Sequence, residues 1–145
     1  MNIIVSACLL GANTRYDGKS SSTEKVISLL KQHNLIPVCP EQLGGMQTPR
    51  YPSEIQAGES VIKNSQGEDV TSCFVKGAEE ALNLAFLYKC KRAILKSKSP
   101  SCGKGLVYDG SFSRRLIEGN GIFAQMLIDN GIEVYTEKDI PYFND

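Results

Sequence analysis

Histidine is almost missing from this chain of 145 residues, which holds His33 alone. A Cys-His-His metal centre is thereby excluded. Charge of one sign is missing too, because 16 Lys and Arg balance 16 Asp and Glu. A net charge of zero gives no field that would gather nucleic acid or a membrane surface. No apolar stretch reaches the length of a bilayer span, and no basic-apolar-small leader opens the sequence. A cytosolic chain is expected, with neither a nucleic acid polymer nor a membrane as partner. There is no internal repeat, low-complexity tract or interdomain linker. Gly44-Gly45 and Gly103-Lys104-Gly105 match neither glycine-rich phosphate fingerprint. Five cysteines, an odd number without a secretory signal, argue against a disulfide scaffold.

What is present describes an ordinary globular chain, 41% apolar and 22% charged. Residues 1–145 fit one domain with a real hydrophobic core. Three short apolar runs read as β-strands: Ile3-Ile4-Val5, Leu35-Ile36-Pro37-Val38 and Arg92-Ala93-Ile94-Leu95. A fourth strand is expected at Ile132 to Tyr135. Between them, Ser21-x-x-Glu24 resembles a capping box, and Val26, Leu29 and Leu30 give a helical face. The longest helical pattern runs from about Thr71 to Tyr88, and a last helix lies around Gly121 to Asn130. Cys39 to Pro52, with its prolines and Gly44-Gly45, is expected to be a shaped loop without regular structure. Val61-Ile62 and Glu68-Asp69-Val70 suggest a small hairpin or arm. Strands alternating with helices predict an α/β fold, a three-layer Rossmann- or flavodoxin-like domain with a mostly parallel sheet.

Cys8, Cys39 and Cys102 each follow one of the first three strands, and in a parallel sheet such residues gather at one edge. Cysteines 31 and 63 positions apart would meet there. Three thiols together suggest a soft-metal site, most sharply a cluster with one unprotected position. Cys8 to Arg15 spans one residue more than a tyrosine-phosphatase loop, which argues against that use. Glu41, two residues past Cys39, suits a general acid or base if it points into the same pocket, and is otherwise a surface carboxylate. Ser99 and Ser101 flank Cys102 with hydroxyls and amides able to bond sulfur or ligand, or to form an ordinary turn. Arg15, Arg50 and Lys98 are candidates to hold an anionic or carbonyl-bearing ligand, against the plainer alternative of solvated cations. Cys73 and Cys90 read as structural thiols. His33 reads as a helix-terminal residue rather than a zinc ligand.

These stretches together resemble a bacterial family, the thiouracil desulfurases (desulfidases). The similarity lies in Val5-Ser6-Ala7-Cys8-Leu9-Leu10-Gly11, Arg15-Tyr16-Asp17-Gly18, and Pro37-Val38-Cys39-Pro40-Glu41-Gln42-Leu43-Gly44-Gly45. It continues in Thr48-Pro49-Arg50, Leu95-Lys96-Ser97-Lys98-Ser99-Pro100-Ser101-Cys102-Gly103 and Tyr108-Asp109-Gly110. The resemblance runs from about Asn2 to Ile140. It implies a 4Fe–4S cluster held by Cys8, Cys39 and Cys102 with one open iron. It implies non-redox replacement of sulfur by water on a small thiolated heterocycle such as 2-thiouracil, giving uracil and sulfide. Glu41 matches the residue assigned to proton transfer, and Ser101 a serine assigned to assist. Iron–sulfur assembly machinery is an implied partner. Thr14 stands where some members carry a further Cys. Two other classes remain open from the residues: a non-catalytic metal- or sulfur-binding module, and a metal-free domain binding a nucleotide-like ligand.

Overall fold

The computed structural model describes residues 1–143. At its centre lie four parallel strands in the order β2-β1-β5-β8. They are β1 (Asn2–Ser6), β2 (Asn34–Val38), β5 (Arg92–Leu95) and β8 (Glu133–Thr136). Ile3, Ile4 and Val5 of β1 are fully buried. A strand covered on both faces reads as an unbroken apolar run for this reason. Their side chains alternate between two cores, as the two-residue period of a strand requires. Ile4 joins Ala93, Leu95 and Val134 against α3 (Thr71–Leu87) and α4 (Ile122–Asp129). Ile3, Val5 and Ile94 join Leu9 and Val26, the latter on α1 (Glu24–Ile27). The result is the expected three-layer α/β arrangement. Among the described residues no helix is long and apolar enough to cross a membrane.

The chain steps from β1 outward to β2, then returns to place β5 on the other side of β1. This reversal opens a crevice beyond the carboxyl ends of the strands, the place where open α/β sheets take ligands. Two antiparallel pairs border it: β3 (Ser53–Ile55) with β4 (Ile62–Asn64), and β6 (Leu106–Tyr108) with β7 (Leu116–Glu118).

Several local expectations change. The Ser21 capping box does not form: Thr23 is the N-cap residue, and the Ser21 hydroxyl instead accepts from Arg15 Nη1 at 3.0 Å. The loop from Cys39 to Pro52 contains one helical turn, α2 (Pro40–Leu43). Proline is suited to a first helical position, where its missing N–H leaves nothing unsatisfied. The small hairpin expected of Val61-Ile62 and Glu68-Asp69-Val70 forms, with an antiparallel bridge from Lys63 to Asp69. The amides of Asn64 and Val70 donate to the carbonyls of Glu68 and Ile62 at 3.0 and 2.9 Å, and β4 pairs with β3 in addition. The β6–β7 hairpin is absent from the sequence expectations altogether.

Candidate active site

One cavity of about 510 Å³ opens at the crevice, and Cys8, Cys39 and Cys102 all line it. They come from three adjacent strands. Cys8 lies in the 3-10 turn Ala7–Leu10 directly after β1, and Cys39 caps α2 directly after β2. Cys102 follows β5 by way of the Lys96–Ser101 loop. Tight packing fixes that loop. A Cβ on Gly103 would lie 2.6 Å from the Ser99 carbonyl oxygen, and one on Gly121 would lie 2.5 Å from that of Ser101. Glycine is therefore required at both positions for the backbones to approach. The amides of Ile122 and Phe123, at the start of α4, donate to the carbonyls of Pro100 and Ser101.

Burial is the main influence on the three thiols. It pushes Cys8 up to about 11, with Lys96 opposing and Cys39 adding to the rise. It pushes Cys102 up to about 12, with hydrogen bonds from Ser6 and Ser101 opposing and the other two cysteines adding. Cys39 is raised too, again chiefly by burial. Cys8 and Cys102 thus sense the charge of neighbouring cysteines, and without metal all three are held as thiols near neutral pH.

The donor set suits a multi-iron cluster. Sulfur ligands favour iron–sulfur groups, and bound iron supplies the positive charge that lets buried thiols ionise. Among the described residues no three His, Cys, Asp or Glu side chains form a site for a single metal ion. A cluster differs because it offers each thiolate its own iron.

All six remaining candidates, Arg15, Glu41, Arg50, Lys98, Ser99 and Ser101, line the same cavity. Glu41, on α2, pairs through Oε1 with Arg50 Nε at 3.4 Å. Arg50 is heavily committed: Nη1 donates to Thr48 Oγ1 at 2.8 Å and Nη2 to the Thr14 carbonyl at 2.9 Å. Its side chain is only 5% exposed. Arg15 is more open, holding Asp17 at 3.1 Å and Ser21. Ser99 Oγ accepts from the amides of Ser101 and Cys102 at 3.1 and 3.0 Å, so it shapes the turn that presents Cys102. Ser101 is buried, and its hydroxyl lies 3.0 Å from Ser99 Oγ and donates to Cys102 Sγ at 3.7 Å.

The residues set aside fall elsewhere. Cys73 and Cys90 are not among the cavity's lining residues. His33 lies just before β2, at the opposite end of the sheet, 3.3 Å from the amino terminus.

A family model for 2-thiouracil desulfurase matches residues 3–139, nearly the whole chain. The chain belongs to the 2-thiouracil desulfurase family. It is therefore an enzyme, with desulfuration as its family chemistry. An uncharacterized protein of Bacillus subtilis (strain 168), YbbK, is 39% identical over 146 residues, covering 95% of this chain and 97% of YbbK. A solved structure, the [4Fe-4S]-dependent thiouracil desulfidase TudS, superposes with a TM-score of 0.91 at 40% identity. That match covers 97% of this chain and 93% of TudS.

In this desulfurase-family chain, sequence reasoning missed several cavity residues. Lys96 and Ser97 are tied by Glu137: its Oε2 accepts from Lys96 Nζ at 3.0 Å and its Oε1 from the Ser97 amide at 2.8 Å. Glu54, Tyr108, Phe112 and Arg114 also line the cavity. Asp109-Gly110-Ser111 marks a turn beside Tyr108, Phe112 and Arg114, but nothing in that pattern points them, or Glu54, toward the cavity.

Proposed function

We propose that this chain is an iron–sulfur-dependent desulfidase that hydrolyses the thiocarbonyl group of a small heterocycle such as 2-thiouracil. The reaction balances without electron transfer: thiocarbonyl and water give carbonyl and hydrogen sulfide. The observation that carries this reading is the meeting of three cysteines from three adjacent strands on one cavity. We further infer that residues 1–145 work as one α/β domain and that assembly proteins deliver its cluster.

Cys8, Cys39 and Cys102 would hold a 4Fe–4S cluster. When bound with one iron open, such a group supplies a soft Lewis acid that matches a thiocarbonyl sulfur. The rest falls to the chain. Arg50 occupies Glu41 Oε1 and thereby orients the carboxylate, leaving Oε2 to take a proton from water. The same carboxyl returns that proton to the departing sulfur or to a ring nitrogen. Ser101, backed by Ser99, holds the Cys102 sulfur in place by a hydrogen bond. Arg15 contributes a cation at the cavity for the substrate's carbonyl oxygen.

Iron and acid-labile sulfide, measured after reconstitution without oxygen, test the assignment. Brown wild-type protein with about four irons per chain is expected. Cys8→Ala, Cys39→Ala and Cys102→Ala should each lose the iron, and wild type should release sulfide from 2-thiouracil. Variants that retain wild-type iron would remove the cysteines from this role.

A further inference from the structure

Three of the four described non-glycine residues with positive φ line the cavity: Lys98 (69°), Phe112 (57°) and Arg114 (65°). L-residues are strained in this region, and the strain persists only where surrounding structure imposes it. Phe112 and Arg114 belong to the turn between β6 and β7, and Glu54 on β3 is the group that imposes it. Glu54 is 8% exposed, and its Oε1 accepts from the amides of Gly110 at 3.0 Å and Phe112 at 3.1 Å. The Ala57 amide adds a bond to the Asp109 carbonyl at 3.1 Å. The turn also lies hard against the strand. A Cβ on Gly110 would sit 2.9 Å from both Gln56 Cα and the Ile55 carbonyl oxygen.

Of the hairpin only Val107 on β6 is buried, and the clamped turn itself adds nothing to the core. Neither hydrophobic cluster contains a residue of the β6–β7 hairpin. What the hairpin does face is the cavity, to which it brings Tyr108, Phe112 and Arg114. Phe112 remains 37% exposed there, a large apolar ring at the edge of a binding space. Aromatic side chains stack on planar heterocycles through their π-faces or meet them edge to face. A small flat ring gains from such a surface, beside its polar contacts, in orienting its carbon–sulfur bond.

We propose that Glu54 is a positioning residue for substrate recognition: its buried carboxylate sets the β6–β7 turn so that Phe112, with Tyr108, forms an aromatic wall for the thiolated ring. The inference rests on the proposed function for the nature of that ring. Glu54 itself touches no reacting atom; it acts through the main chain of Gly110 and Phe112.

The test uses cluster-loaded enzyme and 2-thiouracil, comparing wild type, Glu54→Ala, Glu54→Gln, Phe112→Ala and the Glu54→Ala/Phe112→Ala double variant. Glu54→Ala should raise KM on the order of tenfold, with kcat within about threefold and iron content unchanged. Glu54→Gln keeps an acceptor oxygen and should recover most of the KM. The double variant should be no worse than the poorer single one, because the two residues act in series. Trypsin supplies a readout independent of turnover: cleavage after Arg114 or Arg115 should be faster in Glu54→Ala. A wild-type KM and cleavage rate in Glu54→Ala, or additive losses in the double variant, overturn the proposal. If Glu54→Ala does not fold, Phe112→Ala and Phe112→Tyr decide. A raised KM in the first, recovered in the second, supports the wall, and unchanged KM in Phe112→Ala removes it. An iron-loaded wild type that releases no sulfide overturns the proposed function and this inference together. Normal wild-type turnover with an unaffected Glu54→Ala overturns the inference alone.

Discussion

Gly77 and Pro40 meet backbone to backbone: a Cβ built on Gly77 would lie 1.7 Å from the Pro40 carbonyl oxygen. Gly44 makes the reciprocal approach, its Cβ position lying 2.0 Å from the Cys73 carbonyl oxygen. Together they seat α2 on α3, which fixes Cys39 and Glu41 at the cavity.

Gly77→Ala should therefore destabilise the protein although alanine is the better helix former. The helix preference is about 1 kcal/mol, while forcing atoms into a packed contact costs about 1–3 kcal/mol, and more where backbone must move. Thermal unfolding checks the sign. A Tm equal to or above that of wild type would show that the two helices part without cost.

Arg50→Lys should lower kcat by about tenfold or more while iron content stays at the wild-type level. Lysine carries the charge but cannot span Glu41, Thr48 and the Thr14 carbonyl at once, as the guanidinium does. Steady-state kinetics on 2-thiouracil would settle it, and an unchanged kcat would mean that Glu41 needs no such support.

Glu137 contributes stability that depends on acid. Burial by itself would raise its pKa, but bonds from Lys96 and the Ser97 amide, with the Lys96 charge, outweigh burial and lower it below its ordinary 4.5. A lowered carboxylate pKa gives stability that is present above the unfolded value and lost as pH falls through the folded one. Glu137→Gln should thus be less stable than wild type at pH 7, by about 1–3 kcal/mol. The gap should narrow steadily as pH falls below 4.5. Denaturant titrations at several pH values measure this, and a gap constant down to pH 3 contradicts it.

Metal-free protein should react slowly with iodoacetamide at Cys8 and Cys102 at pH 7. With pKa values raised to about 11 and about 12, the nucleophilic thiolates are scarce there and increase as pH rises. Peptide mapping after timed alkylation should show rates climbing roughly tenfold per pH unit up to pH 9. Fast, pH-independent labelling would show that these thiols are not held as described.

The parallel sheet and two of the cysteines were legible because buried strands announce themselves as unbroken apolar runs. Val5 and Val38 mark where those runs stop, and Cys8 and Cys39 come directly afterwards. Cys102 was harder, since it lies seven residues past Leu95 and reaches the site only because Gly103 and Gly121 let its loop fold onto α4. Glu54 and Phe112 were illegible. Their strands and turn are three to seven residues long, too short for a hydrophobic period, and what joins them is a carboxylate bonding amides more than fifty residues away. Ser21 shows the opposite fault. Its local pattern suited a helix cap, but a guanidinium six residues earlier in the chain took its hydroxyl.

The tie from Glu137 to Lys96 and Ser97 has a consequence for biogenesis. Glu137 follows all three cysteines in the chain, so during synthesis every thiol leaves the ribosome before the carboxylate that braces the Lys96–Ser101 loop. Domains complete their folding as units once the needed segments have emerged. A nascent chain stopped before β8 would expose three thiols with no settled cavity around them, open to oxidation and to the wrong metal. The cluster proposed for these cysteines would therefore be loaded after translation, when the last strand has closed the sheet.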